Sequence, residues 1–267
     1  MSARGSSGEP SAGGARAHPR RAVLGWAGAL VGAGAAALVG APAQPTAVPP
    51  VAPAVARSAP AAVARPAAGA ATSVRAVLGR RTHRNAVALT IDDGPHPTWT
   101  PQVLDVLAEH GVRATFSVVG RQARAYPRLV RRVVRGGHAL CNHSMSHPQP
   151  FGARGTAAVR RQIVDAQDAI ADAAGEEPTL FRAPGGDWTA DVLAVCADLG
   201  LTPVGWSVDP RDWSRPGAAA IAAELLTAGP DDVLLCHDGG GDRAQTVAAL
   251  AAVLPQLRRR GLRFAVL

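Results

Sequence analysis

The sequence has no lysine, so each of its 28 strongly basic residues is an arginine. Aromatic residues make up only 4% of the chain, and 267 residues include just three cysteines. This composition excludes a disulfide-dense mini-protein, a collagen-like chain and a coiled coil. Alanine, glycine, valine and proline are abundant instead, and their uneven distribution leaves room for a segment that forms no core.

The positive charge is concentrated near the start of the chain. The formal net charge is +8. Residues 1–72 contain six Arg and one Glu, whereas residues 73–267 contain 22 Arg and 19 acidic residues. A nucleic-acid-binding protein carries its basic residues on the folded domain, beside aromatic platforms for the bases. We therefore expect no nucleic-acid partner.

Residues 1–43 have the pattern of an export segment. Residues 22–41 carry no charge, and an arginine pair at 20–21 precedes them. Residues 41–43 read Ala-Pro-Ala, a small-residue pattern that suits signal peptidase. The arginine pair also resembles a twin-arginine export signal. The sequence predicts an extracellular or cell-wall location, with an uncleaved membrane anchor as the alternative to cleavage.

Residues 44–80 form an alanine- and proline-rich stretch. Proline removes backbone donors and favours extended, semi-rigid chain. We interpret this stretch as a spacer. It leaves one folded domain over residues 81–267, which we expect to act as a monomer.

Seven β-rich runs alternate with helix-period segments over the rest of the chain. Several helical segments end in glycine, which suits the left-handed cap of a helix C-terminus. Such alternation indicates a parallel sheet, closed or doubly wound. The predicted strands cover residues 86–91, 114–118, 138–141, 179–182, 202–206, 232–236 and 263–267. The predicted helices cover residues 101–110, 121–135, 155–174, 189–199, 217–228 and 243–260.

Polar and ionisable residues follow five of the predicted strands. In a (β/α) barrel the carboxyl ends of the strands converge on one face, where catalytic groups lie. Five separate strand ends that each deliver such groups favour an enzyme. The residues are Asp92, Asp93, Asn142, His143, His147, Arg182, Asp209, Asp212, His237 and Asp238.

His143 and His147 have a spacing that can bind metal. Residues four apart share one face of a helical turn, so both imidazoles can reach one ion. A carboxylate from another strand would complete a site with open positions, as catalytic zinc requires. Asp92 and Asp93 point different ways in an extended segment, so one can bind metal while the other faces a substrate water. Unligated surface histidines and a simple Asp-Asp-Gly-Pro turn are the alternative interpretations.

Three cysteines, Cys141, Cys196 and Cys236, occur in the predicted domain. An odd number leaves at least one without an intramolecular partner. We interpret them as small buried hydrophobic residues, with a disulfide or a thiolate ligand as alternatives.

Five ordered motifs between Val87 and Leu267 resemble those of the polysaccharide deacetylase family, also called the NodB-homology domain or carbohydrate esterase family 4. They are residues 90–95 (TIDDGP), 142–147 (NHSMSH), 182–186 (RAPGG), 209–213 (DPRDW) and 235–238 (LCHD).

The resemblance implies a distorted (β/α)7 barrel and a divalent metal, most commonly zinc, with Co²⁺ or another divalent ion also able to serve. It implies that Asp93, His143 and His147 are the metal ligands. Asp92 would be the general base, held and tuned by Arg182.

The resemblance also assigns the remaining roles. His237 would be the general acid, and Asp212 would orient its ring. Trp213 and Leu235 would line the pocket for the acetyl methyl group, while the backbone N–H of Gly185 would help to bind the oxyanion. The substrate-binding residues implied in this way are Pro184, Gly185, Trp213 and Leu235.

Some positions depart from the family pattern. Ile91 replaces the usual phenylalanine, and Gly185 stands where the family often has an aromatic residue, so a wall of the sugar groove is lost. Every ionisable motif residue is present, which predicts activity. The implied activity is removal of N-acetyl groups from an N-acetylglucosamine polymer, peptidoglycan or chitooligosaccharide. An O-acetyl esterase acting on acetylated xylan and a non-catalytic wall-binding module are the alternatives.

Overall fold

The computed structural model of the protein describes residues 69–79 and 82–267. The predicted export segment and most of the predicted spacer, up to residue 68, lie outside the described residues. Among the helices of the described ranges, none is long and apolar enough to cross a membrane.

Seven short strands alternate with helices, and each predicted strand is present. Those predicted over residues 114–118, 179–182, 202–206 and 263–267 are shorter, the one over 86–91 is a residue longer, and those over 138–141 and 232–236 are shifted by one residue. The strands are β1 (Ala86–Asp92), β2 (Thr115–Val118), β3 (Ala139–Asn142), β4 (Leu180–Phe181), β5 (Thr202–Pro203), β6 (Val233–His237) and β7 (Arg263–Phe264). The α-helices are α1 (Val74–Leu78), α2 (Trp99–Glu109), α3 (Gly120–Ala125), α4 (Pro127–Arg135), α5 (Thr156–Ala174), α6 (Ala190–Asp198), α7 (Ala218–Leu225) and α8 (Ala244–Arg259). Short 3-10 turns cover Gly152–Arg154, Pro184–Gly186 and Asp212–Ser214.

All strand pairs are parallel, in the order β5-β4-β3-β2-β1-β6, with β7 also paired to β1. The sheet curls, and Val208, just beyond β5, forms a parallel bridge to Leu234 of β6. The expected distorted (β/α) barrel is confirmed. Because the strands are parallel, their carboxyl ends share one face and their amino ends share the other.

Strand β1 shows how the barrel interior is built. Every residue of this strand is buried, because helices cover its outer face and other strands surround its inner face. Val87, Leu89 and Ile91 alternate outwards into the core shared with the helices. The intervening Thr90 and Asp92 both contact the Arg182 guanidinium in the interior. Because successive side chains of a strand point to opposite faces, one face of β1 packs against the helices and the other carries residues that contact Arg182.

The predicted helix over residues 121–135 is wrong as a single element, because Tyr126 separates α3 from α4. Pro127 begins α4, and the residue before a proline is disfavoured in the helical region. Tyr126 accordingly adopts φ −130° and ψ 54°.

Helix α1 is an element that the sequence analysis did not predict. Val74 is fully buried, in a cluster with Ala86, Ala88 and Val233, and Val77 packs against a neighbouring cluster that includes Val204. The chain leading into the helix bonds to two strands, with bridges from Ala71 to Val204 and from Ser73 to Asp232. Residues 71–78, which the sequence analysis assigned to the spacer, thus pack into the barrel at the amino ends of β1 and β6.

Candidate active site

Asp92 and Arg182 form a fully buried ion pair at the centre of the carboxyl-end face. Asp92 is the last residue of β1, and Arg182 directly follows β4. The distance from Arg182 Nη1 to Asp92 Oδ1 is 2.8 Å, and the exposed fractions of the two residues are 0% and 2%. A pair so deep is tolerated only when its remaining hydrogen-bonding groups also find partners.

The Arg182 guanidinium finds those partners. Nη1 also donates to Thr90 Oγ1 at 2.7 Å. Nε and Nη2 donate to the carbonyl oxygens of Val204 and Gly205 at 3.2 and 2.7 Å. Trp206 packs against the guanidinium at 5.6 Å from the ring centroid. Arg182 therefore fixes Asp92 Oδ1 and leaves Asp92 Oδ2 facing the site, where it lies 3.7 Å from His143 Nε2.

Asp93, His143 and His147 bring three potential ligand atoms together within 4.8 Å of one another. His143 Nε2 and His147 Nε2 lie 3.5 and 3.2 Å from Asp93 Oδ1. His143 Nδ1 lies 2.8 Å from the carbonyl oxygen of Arg182. This contact places the ring proton on Nδ1 and leaves the Nε2 lone pair facing the cluster, the arrangement that second contacts of metal-binding histidines provide.

A divalent metal fits these three residues. Asp93 Oδ1 is buried without a hydrogen-bond partner among the described residues, although a buried carboxylate oxygen requires one. Burial opposes ionisation of Asp93, but the neighbouring imidazoles, His143 foremost, hold the pKa of that carboxyl well below its usual range. Burial and the His143 charge lower the pKa of His147, which keeps its imidazole neutral. An ionised carboxylate and imidazoles are ligands that zinc and similar ions accept.

The helical turn expected for residues 143–147 is wrong, although both imidazoles reach the cluster. The segment is irregular, and Ser144 and His147 have positive φ angles of 65° and 55°. Side-chain hydrogen bonds replace those of a helix: the Ser144 N–H donates to Asn142 Oδ1 at 2.9 Å, and the His147 N–H donates to Ser144 Oγ at 3.1 Å. Such local bonds compete with helix formation.

His237 and Asp212 form a second, largely buried pair, and His237 is the register partner of Asp92 on the neighbouring strand β6. Asp212 Oδ1 lies 2.6 Å from His237 Nδ1, and Asp212 Oδ2 accepts from the His237 backbone N–H at 2.9 Å. Thr246 Oγ1 donates to the same Oδ2 at 2.7 Å. Burial works against the imidazolium, but the hydrogen bond and charge of Asp212 raise the pKa of His237 to about 9. The ring is therefore protonated at neutral pH, with its Nε2–H free of the Asp212 contact.

Asp92, His237 and the three residues of the cluster line one cleft of about 440 Å³. The Gly185 backbone N–H donates to no described residue, so it is available to a ligand. Gly185 has a φ of +65°, and Gln149 Nε2 lies 3.0 Å from the point where a Cβ on Gly185 would stand.

Trp213 is 48% exposed and stacks under Arg211. Leu235 also lines the cleft, whereas Pro184 is buried beside Gly185.

The structure adds residues that the sequence analysis missed. Thr90 and Thr246 support Arg182 and Asp212, and Gln149 and Arg243 line the cleft. Arg243 is 3% exposed, and its Nε donates to the Gly239 carbonyl at 2.7 Å. The position of Thr90 inside the first motif is a signal that could have found it. The other three stand at no motif position, so only the fold reveals them.

Asp238 is a buried carboxyl beside the site. It is fully buried and accepts from Thr100 Oγ1 at 2.5 Å, while its N–H donates to the Asp92 carbonyl at 3.0 Å. Burial raises the pKa of Asp238 to about 7. These bonds tie the loop after β6 to the end of β1, which fixes His237 relative to Asp92.

The three cysteines are free and buried, as their interpretation as small hydrophobic residues expects. Burial raises the pKa of Cys141 and of Cys196 to about 12. None belongs to the group of three potential metal ligands found within the described residues.

Comparison with known proteins connects this arrangement to a family. A sequence model described as polysaccharide deacetylase matches residues 79–204. A chitooligosaccharide deacetylase from Sinorhizobium fredii is 47% identical over 200 residues, which cover 70% of this chain and 93% of that protein. The chain belongs to the polysaccharide deacetylase family. A peptidoglycan-N-acetylglucosamine deacetylase from Bacillus cereus is 41% identical over 67% of this chain and 84% of its own length.

Solved structures of the polysaccharide deacetylase family have the same fold. A family 4 carbohydrate esterase from Streptomyces lividans, in complex with acetate, matches with a TM-score of 0.64 and 37% identity, over 68% of this chain and 92% of that one. A family 4 pseudoenzyme from Bacillus anthracis matches with a TM-score of 0.63 and 25% identity, over 68% of this chain and 63% of that one. Because the fold also occurs in a pseudoenzyme, the activity of this chain depends on its own site residues.

Proposed function

We propose that the protein is a metal-dependent hydrolase that removes N-acetyl groups from a polymer containing N-acetylglucosamine, such as peptidoglycan or chitooligosaccharide. One observation carries the proposal. Asp92 and His237, register partners on the neighbouring strands β1 and β6, line the same cleft as the Asp93–His143–His147 cluster, with Arg182 paired to Asp92 and Asp212 paired to His237. Two relatives, which are named as a chitooligosaccharide deacetylase and a peptidoglycan-N-acetylglucosamine deacetylase, support the substrate class.

The chemistry of amide hydrolysis matches what these residues can do. An amide carbonyl is a poor electrophile, and its amine is a poor leaving group unless protonated. A divalent metal held by Asp93, His143 and His147 would supply a Lewis acid that polarises the carbonyl and activates a water. Zinc is the proposed ion, with Co²⁺ or another divalent ion as the alternative, because His₂Asp sites with open positions are typical of catalytic zinc.

The protein's own groups then move the protons. Asp92 Oδ2, left free by the Arg182 contact to Oδ1, accepts the proton of the attacking water. The Gly185 N–H donates to the oxyanion that develops on the former carbonyl oxygen. His237 Nε2 donates its proton to the departing amine, while Asp212 holds the ring through Nδ1. Acetate and a free sugar amine result.

The decisive experiment measures acetate release by the full chain from chitooligosaccharide, peptidoglycan and acetylxylan, with and without a chelator. We expect release from the first two substrates and loss of activity on chelation. Asp92→Asn should lower turnover by at least 10²-fold, because a general base contributes about 10²–10⁴-fold, while bound metal measured by mass spectrometry stays unchanged. Asp198→Asn, which removes an exposed surface carboxylate, is the matched control and should retain activity.

The outcomes separate the alternatives. Release from acetylxylan alone identifies an O-acetyl esterase. A metal-loaded chain that releases no acetate from any of the three substrates overturns the enzyme proposal and favours the non-catalytic wall-binding module; a pseudoenzyme with this fold has been solved.

The location of the enzyme is a separate part of the proposal. The export pattern of residues 1–43 supports a place outside the cell or at the cell wall, with a membrane anchor if the segment stays uncleaved. Cell fractionation combined with N-terminal sequencing of the mature chain tests it. We also propose that the protein is a monomer, because one chain supplies all the residues of the cleft, and light scattering measures its mass. The charge distribution of the sequence supports the absence of a nucleic-acid partner.

A further inference from the structure

Two neighbouring cavities open at the opposite end of the barrel, where the strands begin. The first has a volume of about 430 Å³ and the second about 390 Å³, and Gly111 and Val112 line both. No acidic residue lines either cavity. The arginines that line them are Arg113, Arg132 and Arg135 in the first and Arg258 and Arg263 in the second.

Three of these arginines, Arg113, Arg135 and Arg263, are exposed and make no side-chain hydrogen bond or ion pair with a described residue. The other two differ, because Arg132 pairs with Asp105 at 2.5 Å and Arg258 donates to the carbonyl of a residue at the end of α2. A guanidinium presents five donors in a planar fork, which matches the oxygens of a phosphate group. Unpaired guanidinium groups beside a cavity are therefore free to bind anions.

His138 adds a buried donor to the first cavity, which it helps to line. The residue is only 8% exposed, and its Nδ1 accepts from the Ala114 N–H at 3.1 Å. The ring proton must then be on Nε2, which makes no hydrogen bond with a described residue. Burial, assisted by the charge of Arg113, lowers the pKa of His138 to about 4. The imidazole is neutral at neutral pH, with its one N–H available to a ligand.

We infer that the two cavities bind a linear polymer that carries phosphate groups and no nucleobases. The unpaired arginines and the His138 N–H supply donors, and the shared wall at Gly111 and Val112 lets one chain occupy both cavities. Binding of several groups on one chain strengthens attachment without any new contact. The positive charge of residues 1–72, six Arg and one Glu, does not complement this arginine-lined surface, and neither does the same surface of a second copy. Charge complementarity therefore requires a foreign anion.

The test uses the full chain and calorimetric titration with linear polyphosphate, with orthophosphate as the single-group comparison. We expect polyphosphate to bind more tightly than orthophosphate. The double substitution Arg113→Gln and Arg135→Gln should weaken polyphosphate binding roughly tenfold or more, because each removes a charge-assisted contact. The ¹⁵N resonance of His138 Nε2 should shift on titration, which places the ligand in the first cavity of the unaltered chain.

Matched controls make the inference falsifiable. Arg124→Gln with Arg161→Gln removes the same charge from two exposed arginines elsewhere and should leave the affinity unchanged. Equal weakening by both double substitutions, or an unmoved His138 resonance, would overturn the inference. Attachment to phosphatidylglycerol vesicles without affinity for polyphosphate would overturn it as well. Acetate release from soluble chitooligosaccharide should be unaffected by the Arg113→Gln, Arg135→Gln pair, which lies at the far end of the barrel.

Discussion

The two ends of the barrel differ in the burial and pairing of their charged residues. At the carboxyl ends of the strands, Asp92, Arg182 and Asp212 are at most 2% exposed, and each has a charged partner. At the amino ends, Arg113 and Arg135 are exposed and unpaired within the described residues. Buried charges must be paired, since removing one partner leaves the other without solvation. Exposed charges remain solvated and contribute little to stability.

The barrel interior shows the same contrast. Towards the carboxyl ends it holds the Arg182 guanidinium and its four hydrogen bonds. Towards the amino ends it is apolar, with Val74 of α1 packed among Ala86, Ala88 and Val233. One end is thus organised by polar geometry and the other by hydrophobic burial. Substitutions at the two ends should therefore destabilise the protein for different physical reasons.

The largest expected effect follows the loss of Arg182. Arg182→Met keeps an unbranched side chain but leaves Asp92 buried without its counter-ion. We expect the free energy of unfolding to fall by about 3–5 kcal/mol and acetate release to be lost with it. Urea titration of the full chain measures the first quantity, and an acetate assay the second.

Arg135→Met is the matched control at the amino-end surface. It removes the same charge from an exposed and unpaired arginine, so stability should change by no more than about 0.5 kcal/mol. Equal destabilisation by the two substitutions would show that pairing and burial do not distinguish the two ends.

A smaller effect is expected from the amino-end interior. A chain that begins at Arg81, the domain start predicted from the sequence, lacks α1, whereas a chain that begins at Gly69 keeps it. Burial of one valine side chain contributes about 1.5–3 kcal/mol. The free energy of unfolding of the shorter chain should therefore be lower by at least about that amount, because it lacks Val74. Thermal unfolding compares the two chains, and Val74→Ala in the full chain isolates the side chain from the truncation. Unfolding at the same temperature for all three would contradict a stabilising role for α1.

The sequence indicates much of the carboxyl end and little of the amino end. The alternation of strands and helices predicts the parallel barrel, because buried strands and amphipathic helices have distinct periods. The ionisable residues after the strands indicate the site, because parallel strands bring their ends together. Helix α1 was missed, since five residues after a proline-rich stretch show no clear period. Its stability comes from tertiary contacts with β1 and with β6, and β6 lies far away in the sequence.

Side-chain partnerships are the other part that sequence alone does not supply. The spacing of His143 and His147 predicts that the two rings converge, but the wrong local structure was expected. Positive φ angles at Ser144 and His147 depend on side-chain bonds to neighbouring residues, which propensity does not reveal. Thr246 on α8 reaches Asp212 only because the helix packs beside the 3-10 turn. Such contacts depend on tertiary geometry.

The smallest expected change in stability concerns the His237–Asp212 pair. It is tested through the pH dependence of the free energy of unfolding. The folded-state pKa of His237, about 9, exceeds the ordinary value of 6.5, so the imidazolium stabilises the fold. This contribution is complete below about pH 6.5 and is lost as the pH rises through about 9. Asp212→Asn removes the charge that raises the pKa and costs roughly 2 kcal/mol, the range of a charged hydrogen bond.

The stability difference between the unaltered chain and Asp212→Asn should therefore shrink as the pH rises from 6.5 to beyond 9. Urea titrations across this range measure it, and acetate release by the unaltered chain should decline along the same limb, because neutral His237 has no proton for the amine. Asp232→Asn, on the amino-end side of β6, is the control and should give a difference that does not vary over these pH values. A constant difference for Asp212→Asn would mean that the pair is held by geometry alone. The charge of His237 would then contribute little to stability, like the exposed arginine charges at the amino end.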